Sequence, residues 1–590
     1  MKQFFKFMFA SMLGFFLTFI IVFFLFIGLI ASIASFADDK AVDVKEKSLL
    51  RLTFDKPIYD RTPNNPFENF DFQNMKSNNT AGLNDVLKNL KKAATDENIK
   101  GIYLDLSSIP TGISTLEEIR NAMIAFKESG KFIISYAESY STTAYYLATV
   151  ADEIILNPDG DILFKGLDAE IMFLKGTLEK LDIEAQIIKV GKYKSAVEPL
   201  ILDKMSKANR EQMQTLVNSI WGKLLEAISE TRSISIENLN LIANNLDVTE
   251  ADQALKHNFI DKIMYKDEVL EVLRNKLGIG EKDKINTLSM SKYTNAPATS
   301  ETIKRSRNKV AVVYAIGSIG GGEGGEREIG SEKISKTLRK ARLDDNIKAV
   351  VFRVNSGGGS ALASEVIRRE VELTSKVKPV IVSMGNLAAS GGYWISCSAD
   401  KIFADPTTLT GSIGVFGIIP NLKDFYKNKL GITYDNVKTN ENSDYITANR
   451  PLTTYQRKII QKGVDKIYNE FLNLVAEGRN MTTEQVNKIG QGRVWCGVDA
   501  LRIGLIDELG GIEDAIAAAV EIAELPDYRI IELPEHKDPF QEIFSELFNN
   551  TKAMVIKSEL GQHYNYYNYI KEISEMEGVQ ARLPFTFEIN

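Results

Sequence analysis

The chain says nearly the same thing twice. DENIKGIYLDLSS, from Asp96, returns as DDNIKAVVFRVNS, from Asp344, 248 positions on. SYAESYSTTAYYLATVADEIIL, from Ser135, keeps that offset against SMGNLAASGGYWISCSADKIFA, from Ser383. Farther along, Met213, Val217, Ile220, Leu224 and Ile228 mark one face of an amphipathic helix, and Ile460, Val464, Ile467, Phe471 and Val475 mark its counterpart. A period this long is no solenoid; it requires one fold to be made twice. Each copy alternates β-branched apolar runs with helical patterns, so the sequence predicts two tandem α/β domains, 38–283 and 309–533, joined by a polar, aperiodic linker over 284–308.

The copies part at the residues able to carry chemistry. In the second, the short strand VIVSM breaks at Gly385 and Asn386, and helix-compatible sequence resumes at Ala388 to Trp394. Ser390 then sits near a helix N-terminus, where unpaired N–H groups favour an anion. Ala388, Ala389, Gly391 and Gly392 leave room for a substrate backbone, although small residues serve tight helix–sheet packing equally well. One β-α unit upstream, VVFRVNSGGGSA (Val350 to Ala361) is another strand entering a glycine turn. N–H groups of the Gly358–Gly359 turn and of Gly391 can converge on an oxyanion at the sheet's carboxyl edge. The first copy has Thr142-Thr143-Ala144 where the second has Ser390-Gly391-Gly392, and SIPTG where the second has SGGGS. No second site of the same kind is expected there.

VNSGGGSALASEVIRRE, SMGNLAASGGYWIS and LTGSIGVFG resemble the signal peptide peptidase A (protease IV) family, serine peptidases of the Clp-protease/crotonase superfamily. The resemblance runs from the N-terminal apolar stretch to about residue 530. It implies two tandem Clp-protease/crotonase-like domains with Ser390 as nucleophile. A serine needs a base. None of the three histidines, His257 in ADQALKHNFIDK, His536 in ELPEHKDP and His563 in the aromatic tail, is placed for a triad, which leaves lysine as the remaining common base. Composition does not select among the lysines. IIKVGKYKSAVEP (Ile187 to Pro199) is similar to the lysine-bearing segment of the family's long form, and this implies Lys194 as general base. Its counterpart in the second copy, after a one-residue shift, is Ser443, so the lysine stands on the copy that lacks the serine. A neutral lysine requires burial to lower its pKa from about 10.4, with Lys192 pushing the same way and Glu198 opposing if close. The resemblance further implies that Ser412 orients the lysine and that the N–H groups of Gly359 and Gly391 hold the oxyanion. Where the family usually reads NSPGGS, Gly357 replaces the proline, which frees φ without removing a donor.

Residues 7–37 carry no charge, with Lys2 and Lys6 before them and Asp38 and Asp39 after. This predicts a transmembrane anchor longer than the ~20 residues a bilayer needs, with 1–6 in the cytoplasm and the domains beyond the inner membrane, in the periplasm of a two-membrane bacterium. Ser35-Phe36-Ala37 vaguely resembles a cleavage site, which leaves a removed signal as the lesser reading. A net charge of −7 gives no reason to expect nucleic acid. Cys397 and Cys496 form no disulfide framework; one bridge or two buried thiols stay open. The loop GSIGGGEGGERE (Gly317 to Glu328) lacks a following Gly-Lys-Ser/Thr, so it is no phosphate cradle and is expected as a mobile, linker-like loop near the strand edge. Gly492 to Gly511 looks like the family's closing packing element. The tail, 534–590, with its Tyr564 to Tyr569 cluster, has no parallel in the first copy and receives no role beyond a contact surface.

The function expected is therefore a membrane-anchored Ser-Lys endopeptidase working through an acyl-enzyme, with no metal or cofactor required. The resemblance implies remnant signal peptides as substrates, taken as extended apolar segments along a strand edge, and a bowl-shaped homotetramer. Two rivals stand beside it. A crotonase-like acyl-CoA enzyme is disfavoured by export of the domains, since CoA is cytosolic. A non-catalytic membrane scaffold is disfavoured by the presence of Ser390, Lys194 and Ser412.

Overall fold

The computed structural model describes residues 2–36, 42–63, 70–71, 76–77, 82–297, 306–325, 327–536 and 578–583. Each copy builds the same parallel sheet. In the first, the strands lie in the order Lys262–Ile263, Glu153–Leu163, Phe132–Ser141, Ile99–Asp105, Ser48–Leu52, Thr287–Ser289. In the second, Val380–Ala389, Ile347–Ser356, Lys309–Ile316 and Arg529–Leu533 repeat the inner order. Helices Leu83–Thr95 and Ile113–Lys127 return as Ser331–Leu343 and Ala361–Ser375 at the offset read from the sequence. The strands are parallel, so helices cover both faces and the central runs are apolar throughout, as in the fully buried Val310 to Val313. Two tandem α/β units of the same fold thus follow one N-terminal apolar helix, Lys2–Phe36. Its 35 residues span about 52 Å at 1.5 Å per residue, more than a bilayer's hydrocarbon core.

The chain departs from expectation at three places. Strand Val380–Ala389 does not stop at Gly385 and Asn386 but passes through them, its register against Ile347–Ser356 shifting there. Its first part pairs with Lys401–Ala404 and its second with Leu409–Gly411, so the small and polar pair marks a change of neighbour rather than an end. The stretch expected as a linker, 284–308, instead supplies strand Thr287–Ser289 on the edge of the first sheet, followed by helix Met290–Thr294 with Met290 and Tyr293 buried. The loop expected to be mobile, Gly317 to Glu328, is bracketed by two parallel strands, Ser318–Gly320 and Glu328–Gly330, beside Gly358–Ser360. Backbone pairing, not side-chain periodicity, orders it, which is why a glycine-rich stretch reads as a linker.

The two units share a core and a sheet. Helix Ile512–Ile522, from the second, packs Ile512, Ala515, Ile516 and Ala519 between Val312, Val351 and Phe403 of its own sheet and the apolar residues of the first unit. Strand Glu184–Val190, from the first, pairs antiparallel along its whole length with Val415–Asn421 of the second. Between the units, Arg353 is buried with its guanidinium donating to Asp60 (2.6 Å), Glu118 (2.5 Å) and Ser383 (2.8 Å). Asn386 accepts the Thr115 N–H at 3.1 Å, doing for helix Ile113–Lys127 what a capping side chain does, but from the other copy. The boundary between the halves is therefore buried and continuous.

Candidate active site

Ser390 stands between the end of strand Val380–Ala389 and the helical turn Gly391–Trp394. Its backbone is held at φ 56°, ψ −111°, a conformation that costs a non-glycine residue about 1–3 kcal/mol. Two bonds enforce it. The Ser390 N–H donates to Gly411 C=O (2.8 Å), and its own carbonyl accepts the Trp394 N–H (2.8 Å). The turn leaves the Ser390 Oγ buried, 3.4 Å from Gly414 C=O. Gly392 is glycine for packing, since a Cβ there would lie 2.5 Å from the Ser356 carbonyl oxygen. Gly391 faces Gly358: a Cβ on Gly358, at φ +97°, would lie 2.7 Å from the Gly391 nitrogen. The glycine turn and the serine turn thus meet backbone to backbone, and the sequence's two readings of its small residues are both realised, at different positions.

Lys194 reaches this point from the first copy. Strand Glu184–Val190 ends beside Val415, and the chain turns at Gly191 to deliver Lys194 into the second unit. Its Nζ lies 2.8 Å from Ser390 Oγ, 3.0 Å from Ser412 Oγ and 3.2 Å from Ser412 C=O. All three side chains are fully buried. A neutral amine has two N–H groups and one lone pair; if both N–H groups go to Ser412, the lone pair faces the Ser390 hydroxyl. Burial alone holds the Lys194 pKa well below its ordinary 10.5. The help expected from Lys192 and the opposition expected from Glu198 do not enter. Lys192 lies exposed with its Nζ 5.0 Å from the centre of the Tyr193 ring, and Glu198 accepts the Ser206 N–H. Ser412 is itself in the left-handed region (φ 52°), its N–H donating to Arg493 C=O at 2.7 Å, which aims both its hydroxyl and its carbonyl at the lysine.

Several supports of the site were not read from the sequence. The lysine stem passes between Gly414 and Gly492. A Cβ on Gly492 (φ +78°) would stand 2.7 Å from Lys194 Cβ, and one on Gly414 would stand 3.3 Å from its Cδ. Gly492 opens the segment expected only as a closing element. The tail also contributes. Gln580–Arg582, in the stretch given no role, is a strand inserted between Gly358–Ser360 and Val415–Asn421, antiparallel to both. A short run bounded by Gly578 and Pro584 was its only signal. The Tyr564 to Tyr569 cluster and His563 lie outside the described residues. His257 ends helix Ala251–Lys256, and among the described residues no histidine is bonded to Ser390, Lys194 or Ser412. Cys397 and Cys496 are both free and buried. In the first copy Tyr140 stands where the second has Ala388, and its ring packs on Tyr145 at 6.2 Å, filling the equivalent space with aromatic rings.

A buried amine against a strained serine, with backbone N–H groups alongside, can generate a nucleophile and hold an oxyanion, which is the chemistry of acyl transfer. Comparison with known proteins agrees. Protease 4 of Haemophilus influenzae is 40% identical over 450 residues, covering 74% of this chain and 72% of that protein. Protease 4 of Salmonella typhi is 36% identical over 483 residues, covering 80% and 77%. The chloroplastic serine protease SPPA of Arabidopsis thaliana is 32% identical over 516 residues, covering 86% and 75%. Among solved structures, a ClpP1 mutant from Listeria monocytogenes matches 35% of this chain and 94% of that one at 18% identity, with a TM-score of 0.24. Peptidase family S49 matches residues 125–280 and 372–526, once in each copy, so the chain that makes one fold twice belongs to that family and is a serine peptidase.

Proposed function

We propose that this chain is a membrane-anchored endopeptidase in which Ser390 is the nucleophile, Lys194 the general base, Ser412 the group that positions the lysine, and the Gly359 and Gly391 N–H groups the oxyanion donors. The observation that carries the reading is the 2.8 Å contact between a fully buried lysine and the serine hydroxyl, because only a desolvated amine is a base near neutral pH. Lys194 takes the Ser390 proton as Oγ attacks a peptide carbonyl. The amine returns that proton to the leaving nitrogen, and water then releases the acyl group. The helix Lys2–Phe36, with an apolar stretch that buries nothing against the rest of the chain, supports an anchor in the inner membrane with the two units beyond it. Remnant signal peptides suit a groove that takes an extended apolar strand beside the site.

The pseudo-symmetry supports the homotetramer. Strand Glu184–Val190 of the first copy pairs with Val415–Asn421 of the second, yet its own counterpart, 432–438, pairs with no strand among the described residues, with Ile432, Tyr434 and Val437 exposed. The counterpart of Val415–Asn421, at 167–173, likewise has no long partner strand among the described residues and exposes Met172. Joining the two between neighbouring copies makes a head-to-tail contact, the kind that forms a ring where its rotation closes. The test of the function is cleavage of casein and of lipopeptides by the purified chain beside Ser390→Ala and Lys194→Ala. Activity is expected only in the unaltered chain, and cleavage that survives both changes defeats the assignment.

A further inference from the structure

We propose that Arg493 is a positioning residue for the reaction, clamping the lysine-bearing segment of the first unit onto the short stretch that fixes both serines of the second; this rests on the peptidase reading above. The stretch 491–495 is tied to the backbone at or beside each of the three site residues. Gln491 C=O accepts the N–H of Tyr193 (2.8 Å), the residue before the lysine, and Gly492 lies so close that a Cβ there would come 2.7 Å from the Lys194 nitrogen. Arg493 C=O accepts the Ser412 N–H (2.7 Å). Val494 pairs with Gly411, whose C=O accepts the Ser390 N–H (2.8 Å), and a Cβ on Gly411 would stand 3.0 Å from the Trp495 ring. One short run of backbone therefore sets the base, its hydrogen-bonding partner and the nucleophile relative to one another.

The Arg493 side chain closes this run over Tyr193. Its guanidinium carbon lies 4.8 Å from the centre of the Tyr193 ring and 4.4 Å from that of Trp495. The guanidinium donates to the Tyr193 hydroxyl (3.3 Å) and to Glu211 (3.1 Å), and the hydroxyl donates to the same Glu211 oxygen (3.2 Å). Tyr193 and Glu211 belong to the first unit, Arg493 and Trp495 to the second. The Trp495 indole N–H donates to Ile489 C=O (2.9 Å), which gives the stack a fixed end. A planar guanidinium stacks on rings and forks to oxygen at once; an ammonium does not. Beside it, buried Gln212 of the first unit accepts the Val494 N–H (2.8 Å), a second tie across the same boundary.

The duplication separates this clamp from ordinary packing. ALKHNFID, from Ala254, returns as ALRIGLID, from Ala500, and helices Ala251–Lys256 and Gly497–Arg502 begin at the same offset of 246. At that offset Asp247 stands for Arg493 and Thr249 for Trp495, so the clamp belongs to the copy that receives the lysine. Clamping also keeps the amine dry. Burial is what lowers the Lys194 pKa. The charged groups around its segment, Lys189, Lys192, Glu198, Glu211 and Arg493, are engaged with the Lys194 carbonyl, Tyr193, the Ser206 N–H or one another, not with the amine. Loosening Tyr193 therefore lets water reach Lys194 and moves its titration back toward 10.5.

The test is steady-state kinetics of the full-length chain on a peptide substrate from pH 5 to 10, beside Arg493→Ala, Arg493→Lys, Tyr193→Phe and Ser390→Ala, with a urea unfolding midpoint for each. Both Arg493 variants should lose about 10-fold in kcat at unchanged KM, because a small displacement of a positioned base slows the chemical step. The acid limb of their kcat/KM should move up toward 10.5. Tyr193→Phe keeps the ring and should stay within about 3-fold of the unaltered chain. Arg493→Ala with kcat and acid limb unaltered overturns the inference and leaves the peptidase reading standing. So does full activity in Arg493→Lys, which would reduce the residue to its charge, and so does a lower kcat with no movement of the limb, which would make the effect one of general stability. If Arg493→Ala does not fold, Arg493→Lys decides by the same outcomes. Cleavage by Ser390→Ala overturns the peptidase reading and the inference with it.

Discussion

Lys194 and Ser390 are 196 positions apart in the chain and 2.8 Å apart in space. Neither copy of the fold carries both. What joins them is the antiparallel pairing of Glu184–Val190 with Val415–Asn421, which carries the first copy's chain across the boundary and ends a few residues before the lysine. The lysine from one copy and the serine from the other thus meet at the boundary.

That relationship predicts how activity responds to the lysine and to pH. Lys194→Met keeps an unbranched stem in a dry pocket, so the fold should persist while kcat/KM on casein falls about 10²–10⁴-fold, the usual contribution of a positioned base. In the unaltered enzyme the neutral amine is the active form and burial lowers its pKa, so kcat/KM should rise with pH on an acid limb whose midpoint lies well below 10.5. Rates from pH 5 to 10 check both. A limb centred at the ordinary lysine value would remove burial as the activating cause.

Ser412 touches the lysine rather than the reacting carbonyl, and its loss should show a different signature. Ser412→Ala removes the hydroxyl 3.0 Å from Lys194 Nζ but leaves the carbonyl at 3.2 Å, so one of two restraints on the amine remains. A hydrogen bond worth about 0.5–1.5 kcal/mol corresponds to a roughly 2–10-fold fall in kcat. KM should stay unchanged, because the groove is untouched. Steady-state kinetics on a peptide substrate separate the two constants, and a change confined to KM would exclude the positioning role.

The repeat made the fold legible, since strands Ile99–Asp105 and Phe132–Ser141 return at the offset read from the letters. Ser390 was legible too, because a lone serine among glycines at a strand end differs visibly between the copies. Lys194 was reached only by resemblance; nothing local marks it off from Lys189 or Lys192, and its burial is produced by Gly414 and Gly492, more than 200 positions away. Arg353 was hidden for a related reason. It interrupts the apolar run from Ala349 to Val354, and the carboxylates that neutralise it, Asp60 and Glu118, are far from it in sequence. The strand Gln580–Arg582 was invisible because its order comes from the edges it pairs with, not from its own pattern.

Arg353 makes the boundary between the units a determinant of stability. Replacing it with methionine fills similar volume but leaves Asp60 and Glu118 buried without their cation, and breaking a buried pair from one side costs about 3–5 kcal/mol. Urea unfolding should show a midpoint lowered accordingly. A change below about 1 kcal/mol, the scale of a surface pair, would mean that water reaches this cluster.

The proposed contact between copies predicts a second separable effect. Val437 is fully exposed, on the unpaired counterpart of the strand that delivers Lys194. Val437→Asp places a charge in the proposed junction between neighbouring copies while touching no part of the buried site. Light scattering on the purified protein should show the tetramer replaced by smaller species, with the unfolding midpoint of the remaining chains little changed. A tetramer that persists would place the junction elsewhere.

The last prediction concerns pH and the seam itself. Burial pushes the Glu117 carboxyl up to about 7, against the Thr407 hydroxyl that donates to it at 3.3 Å from the other unit and against the nearby charges of Lys223 and Arg120. Across the seam, burial and the neighbouring Glu118 and Glu117 raise Asp405 well above its usual value, and neither of its carboxylate oxygens has a hydrogen-bond partner among the described residues. A carboxyl whose folded pKa lies above its unfolded value of 4.5 favours the fold most when protonated. The Glu117 contribution is therefore complete below about 4.5 and is lost as pH rises through about 7. Asp405 acts in the same direction. Glu117→Gln keeps the shape and removes the titration, so the difference in Tm between variant and parent should widen in favour of the variant from pH 4.5 to 7.5. A parallel pair of Tm curves across that range would mean that Glu117 is solvated in the folded protein and that the seam takes up no proton there.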